Sequence, residues 1–320
     1  MNPGILRRMA RPLLVLLLVA GVAALVLLPA EPVPMTGAWL KHAGLEPRLL
    51  RVKGGEMSAG RPLDVHYVRA GQGPTMILVH GIASSIYSWA DVIGPLSQSF
   101  DVIALDLPGY GGSSQPADLS FDDLPAAVTG VMDALGIARA HFVGNSMGGA
   151  VSLLMAARQP DRVDHVVILD SAGFGMKPNE RPFMIQVLAS GAAGFFADRL
   201  PIRRGLTRAT LRHLMRDDSA VTEARIDEYV APLMRPGALE STRALLLSRL
   251  DERFLPDLPR IRAKTLVVWG RYDPWLPESD ADRFVAAIPG SRKIVLETGH
   301  MPQEEKPADV ARLIGDFLIS

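Results

Sequence analysis

"HFVGNSMGGAV", His141 to Val151, sets one serine among small residues directly after a short apolar run. Phe142 and Val143 are strand formers, and Ala150 to Arg158 reads as a buried helix, so the stretch is a strand, a sharp turn and a helix. The spacing Gly144-Asn145-Ser146-Met147-Gly148 is the G-x-S-x-G pattern of a nucleophile elbow. There the glycines remove side chains so that a serine can sit on a strained bend with its hydroxyl exposed. The competing reading is an ordinary Gly-rich turn. With 29 glycines in 320 residues the pattern alone is weak, and its surroundings have to decide.

Working outward, Thr75–Val79, Asp101–Leu105, Val166–Leu169, Thr265–Trp269 and Lys293–Leu296 are further short apolar runs. Most are separated by helical patterns such as Phe121–Leu135, Val151–Arg158 and Ala281–Ala287. Continuous apolar strands alternating with helices predict a parallel sheet covered on both faces, an α/β class. "LLRVKGGEM" and "PLDVHYVRAG" precede them as a hairpin-like strand pair. Between Asp170 and the strand near Thr265 the pattern is helical, in "RPFMIQVLASGAAGFFADRL", "RATLRHLMRDD" and "ALESTRALLLSRLDERF", which predicts an inserted helical cap over 171–262. The core is then 47–170 and 263–320. Phe174, Met176, Phe183, Met184, Phe195 and Phe196 crowd the start of the cap. Either they line an apolar substrate pocket, with Phe174, Phe183, Phe195 and Phe196 as its walls, or they pack the cap onto the core.

Composition bounds the function. Lys plus Arg equals Asp plus Glu at 34 each, so no global field favours nucleic acid. Seven histidines and no cysteine exclude a catalytic thiol, thiolate metal sites and disulfides. The N-terminus departs from the rest. A basic segment, 1–11, precedes the uncharged stretch 12–30, which as a helix would reach about 28 Å, close to the hydrocarbon thickness of a bilayer. The expectation is a transmembrane anchor followed by a linker over 31–46, with the arginines cytoplasmic and the rest exported. The alternative is a cleaved signal and secretion, for which "LLPAEP" is a poor cleavage site.

A serine hydroxyl needs a base within reach and a group to orient that base. On a sheet with an elbow, sites collect at the carboxyl ends of strands and the partners follow in the order serine, acid, histidine. His165 precedes its strand and His213 lies in the cap, whereas His300 follows the last strand in "VLETGH", so His300 is the candidate base. Asp273 in "VVWGRYDPWLP" follows a strand and a Gly bend and is the candidate acid. Asp170, ending the strand in "VVILDSAG", competes, with a capping carboxylate as its plainer reading. Attack on a carbonyl creates an oxyanion that needs donors already aimed at it. The N–H of Met147 at the helix start supplies one, and the N–H of Ile82, after Gly81 in "VHGIASS", the other. His80 is read as holding that loop. No metal or organic cofactor is required by this chemistry.

"LVHGIASS", "DLPGYGGSS", "GNSMGG", "WGRYDPWLP" and "GHMPQEEKP" stand in the order and approximate spacing of the α/β-hydrolase superfamily, which the chain resembles from about Leu49 to its C-terminus. The resemblance implies an α/β-hydrolase fold, a triad of Ser146, Asp273 and His300, and an oxyanion hole of Ile82 and Met147. Within the superfamily the anchor, "GNSMGGA" and "DSAGF" resemble membrane-associated monoacylglycerol-lipase-like and bacterial lipase/esterase members. That implies hydrolysis of small lipophilic esters, with the membrane engaged through the anchor. Carbon–carbon hydrolases of ring-cleavage products also resemble "GNSMGG". They usually carry Trp after the histidine, where this chain has Met301. Binding without turnover is the third reading. Oligomeric state is not legible in the sequence.

Overall fold

The computed structural model describes residues 37–55, 60–174, 186, 202–248 and 252–319. Eight strands form one sheet: β1 (Arg48–Lys53), β2 (Pro62–Ala70), β3 (Thr75–Val79), β4 (Asp101–Leu105), β5 (Ala140–Asn145), β6 (Val163–Leu169), β7 (Lys264–Gly270) and β8 (Arg292–Leu296). Their spatial order is β1-β2-β4-β3-β5-β6-β7-β8. The first two strands pair antiparallel and β2 joins β4 antiparallel. All remaining pairs are parallel. The predicted strands are thus present, most of them extended by a residue or more.

The helices among the described residues are α1 (Ala38–His42), α2 (Ala90–Leu96), α3 (Asp123–Ala134), α4 (Met147–Arg158), α5 (Ile202–Leu214), α6 (Glu223–Leu233), α7 (Ala238–Leu247), α8 (Glu278–Ala287), α9 (Pro302–Glu305) and α10 (Pro307–Ile319). The apolar runs of the inner strands follow from coverage on both faces. Ile77, Val79, Ile103, Leu105, Val166, Ile168, Val267 and Trp269 face one core with Leu124 and Val128 of α3, Leu154 of α4 and Phe284 of α8. Their neighbours Met76, Leu78, Val102, Ala104, Val167, Leu169, Leu266 and Val268 face the other, with Ile93 of α2 and Ile314 and Phe317 of α10. That period of two splits each apolar strand between two layers of helix.

Helices α5, α6 and α7 lie between β6 and β7, where the helical pattern was read. Leu211, Leu214, Met215, Ile226, Tyr229 and Val230 make a third cluster there, closed by Met301 from the segment after β8. In the stretch expected to be a linker, α1 buries Leu40, and Leu45 follows it into the core.

The expected membrane-anchored, exported localisation is corrected. No helix among the described residues is long and apolar enough to cross a membrane. The 12–30 stretch on which that expectation rested lies outside the described residues, so neither a spanning helix nor membrane engagement has support in the structure.

Candidate active site

The chain runs from β3 outward to β4 on one side and resumes at β5 on the other, so strand order reverses at β3. Loops leaving the carboxyl ends of β3 and β5 therefore diverge and open a crevice, the usual ligand position in such sheets. Ile82 lies on the first loop and Ser146 on the second.

Ser146 joins β5 to α4 with φ 54° and ψ −119°. This left-handed conformation is strained for a side-chain-bearing residue. The described residues contain three non-glycine positive-φ positions, Ala83, Ser146 and Asp170, and all three lie in the loops that leave β3, β5 and β6. Strain is thus concentrated at one end of the sheet. The glycines around Ser146 have steric reasons. A Cβ on Gly144 would collide with the Gly148 carbonyl, and one on Gly148 with the carbonyls of Val79 and His80. Ser146 N–H donates to Leu169 O at 2.9 Å, and Ser146 O accepts from Ala172 N–H at 3.0 Å, which ties the elbow to the end of β6.

His300 follows β8, and its Nδ1 lies 2.6 Å from Asp273 Oδ2 with both side chains buried. Asp273 Oδ1 accepts from the N–H groups of Trp275 at 2.7 Å and Leu276 at 3.0 Å. With Nδ1 committed to the carboxylate, Nε2 is the ring nitrogen left for chemistry. The Trp275 ring packs on the imidazole at 5.4 Å between centroids. Asp170 is fully buried, accepts from Gly270 N–H at 2.8 Å, and has carboxyl and imidazole neighbours in Asp273 and His300. Burial first, and the Asp273 charge second, push its carboxyl well above the usual range.

Gly81 brings the β3 loop against the elbow, since a Cβ there would lie 3.1 Å from Ser146 Cβ. Met147 N–H opens α4 and has no intrahelical acceptor. Ile82 N–H meets no backbone acceptor among the described residues. Buried His80 fixes this loop. Its Nδ1–H donates to Gly81 O at 2.7 Å and its Nε2 accepts Leu107 N–H at 3.0 Å. Desolvation lowers its pKa, in keeping with the neutral tautomer those two bonds require. Asp106, at the end of β4, accepts Ile86 N–H at 2.7 Å and Gly112 N–H at 2.7 Å, and so anchors the far side of the same loop.

Three residues beyond those the sequence singles out hold the site together. Asn145, beside the serine, donates its amide to Leu169 O and to His300 O, both at 3.1 Å, and thereby braces the elbow against the histidine loop. Glu305 accepts Gly299 N–H at 2.7 Å together with Arg216 N–H at 2.8 Å, joining that loop to the end of α5. Glu304 accepts Tyr229 O–H at 2.5 Å and pairs with Arg225 at 3.1 Å, both on α6. Burial pushes the Glu304 carboxyl up to about 7. Their signal in the sequence was proximity to Ser146 and His300 within "GNSMGG" and "GHMPQEEKP".

Of the expected pocket walls, Phe174 packs on Phe284 at 4.7 Å, with the Arg283 guanidinium 3.6 Å above its ring. Phe183, Phe195 and Phe196 lie outside the described residues. Away from the crevice, at the amino ends of β5 and β6, His141 and His165 lie 3.8 and 3.6 Å from the Asp164 carboxylate. These donors are close enough to share a cation, but Arg139 already holds Asp164 at 3.0 Å.

Residues 74–307 match the family described as the alpha/beta hydrolase fold. An uncharacterised hydrolase of Bacillus subtilis, YugF, is 29% identical over 79% of this chain and 92% of its own length. A 2-hydroxy-6-oxo-6-phenylhexa-2,4-dienoate hydrolase of Comamonas testosteroni is 32% identical over 79% of this chain and 91% of its own. Among solved structures, that of a membrane phospholipase A, a bacterial virulence factor, superposes with a TM-score of 0.71 at 26% identity and covers 98% of both chains. The likeness reaches the superfamily and does not single out its monoacylglycerol-lipase-like members. With an eight-stranded sheet of this order, a serine on the β5 elbow and matches over most of its length, the chain belongs to the α/β-hydrolase fold family and is a hydrolase.

Proposed function

We propose that the protein is a serine hydrolase of carboxylic esters with an apolar acyl or alcohol part. The observation that carries this reading is the strained Ser146 on the β5 elbow, braced through Asn145 to a loop whose His300 is bonded to Asp273. His300 Nε2 takes the hydroxyl proton as Ser146 Oγ attacks the ester carbonyl, and Asp273 holds the ring and stabilises the imidazolium. The amides of Ile82 and Met147 bind the oxyanion, helped by the dipole of α4. His300 then protonates the leaving alcohol, and water, deprotonated by the same imidazole, releases the acid.

The ester reading is supported by the surroundings of His300. Trp275 and Tyr87 pack on the apolar cluster that Met301 closes, and Ile82 borders the elbow. Phe174, Phe183, Phe195 and Phe196 stand as further candidates for the walls. The phospholipase A similar over 98% of both chains is a precedent for lipid esters on this framework. A specific observation favours the second reading, carbon–carbon hydrolysis. The Comamonas testosteroni relative is a dienoate hydrolase and is as similar to this chain as the relatives of undefined substrate.

The test is kcat/KM along an ester series from acetate to long acyl chains, beside a ring-cleavage dienoate. Each methylene buried adds about 0.8 kcal/mol, roughly fourfold, while the pocket has room. Ser146→Ala is expected to abolish turnover of every substrate. Faster turnover of the dienoate than of every ester replaces this reading with the second. Turnover surviving in Ser146→Ala refutes both.

A further inference from the structure

Asp170 has no part in the acyl-transfer steps, yet it lies against their acid and base. It sits at the carboxyl end of β6 with φ 43°, a strained conformation, and its N–H donates to Val268 O at 3.0 Å. Its side chain is wholly buried. Oδ1 accepts Gly270 N–H at 2.8 Å, while Oδ2, equally shielded from solvent, has no hydrogen-bond partner. One atom each from Asp170, Asp273 and His300 lie within 4.8 Å of one another.

Two carboxylates this close inside a protein do not both ionise, because like charges in low dielectric repel and neither is hydrated. Asp273 is the one equipped to carry the charge. Its Oδ1 takes two backbone N–H donors and its Oδ2 faces the imidazole. Asp170 has a single donor, on Oδ1, and a bare Oδ2. A proton on Oδ2 removes the second charge and turns the bare acceptor into a donor, with the Asp273 carboxylate beside it to accept. Each carboxylate oxygen has two lone-pair sites, so an Asp273 oxygen can receive it beside its existing partners.

We propose that Asp170 is a positioning residue, a neutral carboxylic acid whose Oδ2–H is directed at the Asp273 carboxylate and holds it in register with His300. This rests on Asp273 and His300 serving as the acid and base of the reaction proposed above. The direction of the Asp170 titration agrees, with burial as the larger cause and the Asp273 charge next. The groups that act on it are Asp273, Glu305 and the imidazole of His300.

The test compares Asp170→Asn and Asp170→Ala in the full chain by the pH profile of kcat/KM on a chromogenic ester and by infrared spectroscopy. The amide of Asp170→Asn reproduces a neutral side chain with one acceptor and one donor. That variant is expected to keep kcat/KM within about threefold of the parent, with the acidic limb of the profile unmoved. Asp170→Ala removes the donor. Its kcat is expected to fall about tenfold or more at unchanged KM, with the acidic limb moved upward as Asp273 binds the imidazolium more tightly. An ionised Asp170 gives the opposite pattern. Asp170→Asn would then delete a negative charge beside His300 and move the acidic limb downward by about one pH unit or more, which overturns the proposal.

Should Asp170→Ala fail to fold, the infrared spectrum decides. At neutral pH the carbonyl band of a protonated carboxylic acid is expected in the parent-minus-Asp170→Asn difference, where the contribution of the Glu304 carboxyl cancels, and its absence from that difference overturns the proposal. That readout involves no turnover. Failure of the serine mechanism registers separately, as activity surviving in Ser146→Ala.

Discussion

Replacing Asn145 by alanine separates the two halves of the candidate site without touching a reacting group. The side chain is buried and donates to two carbonyls. Leu169 O also accepts Ser146 N–H at 2.9 Å, so it keeps a partner when the amide is gone. That loss amounts to an ordinary net hydrogen bond, about 1 kcal/mol. His300 O loses the donor that ties it to the elbow, and a buried carbonyl left unpaired costs about 1–3 kcal/mol. The sum, about 2–4 kcal/mol, should appear as a lower midpoint in urea with an unchanged slope. The same variant frees the histidine loop to shift relative to Ser146. A displacement on the order of 1 Å costs about a hundredfold in rate, so kcat should fall by tens of fold with KM little changed. Asn145→Asp should be worse than alanine at neutral pH, because a carboxylate would face two carbonyl oxygens. Denaturant unfolding and steady-state kinetics on the same ester measure both effects. An Asn145→Ala protein with parental stability and parental kcat would refute the brace.

Two further outcomes follow from the geometry. Gly148→Ala should prevent formation of the native elbow, because its Cβ would meet the backbone carbonyls of Val79 and His80, which cannot swing aside as a side chain can; unfolding at a much lower temperature, or loss of soluble protein, is the readout. Glu304 has its pKa raised from 4.5 to about 7, so the folded state holds a proton that the unfolded chain releases; the associated stability is fully present below about pH 4.5 and is lost as pH rises through about 7, and Glu304→Gln should flatten that part of the stability profile, measured by urea titration at each pH.

The strands were legible because helices cover both faces of the sheet, which leaves continuous apolar runs such as "TMILV" and "TLVVWG", short and rich in β-branched residues. Ser146, Asp273 and His300 were legible as positions, since each follows a strand and is accompanied by a glycine whose Cβ would strike backbone, as at Gly144, Gly270 and Gly299. Asn145 was not, for its acceptors lie 24 and 155 residues away and no local pattern marks them. Glu304 and Glu305 stand in "QEEKP", where nothing local tells a buried carboxylate from an exposed one. Helices α5 and α6 cover them, and only the fold reveals that burial. Phe174 carries the same signature as a pocket wall or a packing residue. Its ring lies on Phe284, a contact whose partner is remote in sequence.

The helices between β6 and β7 do more than lie over the sheet, because the loop that carries His300 is hydrogen-bonded to them. His300 N–H donates to Leu214 O at 2.8 Å, the last residue of α5, and a Cβ on Gly299 would collide with that same carbonyl. Glu305 binds Gly299 N–H on one oxygen and the N–H groups of Arg216 and Asp217 on the other. One residue earlier, Glu304 is held by Tyr229 and Arg225 of α6, and Arg225 reaches on to Asp91 of α2 at 2.8 Å. Tyr229 in turn accepts from Ser84 at 3.4 Å, in the loop that carries Ile82. The loop that carries His300 and the loop that carries Ile82 are therefore linked through α6. Displacing α6 would disturb both at once, so changes that loosen it should lower kcat even where no residue of α6 meets the reacting carbonyl.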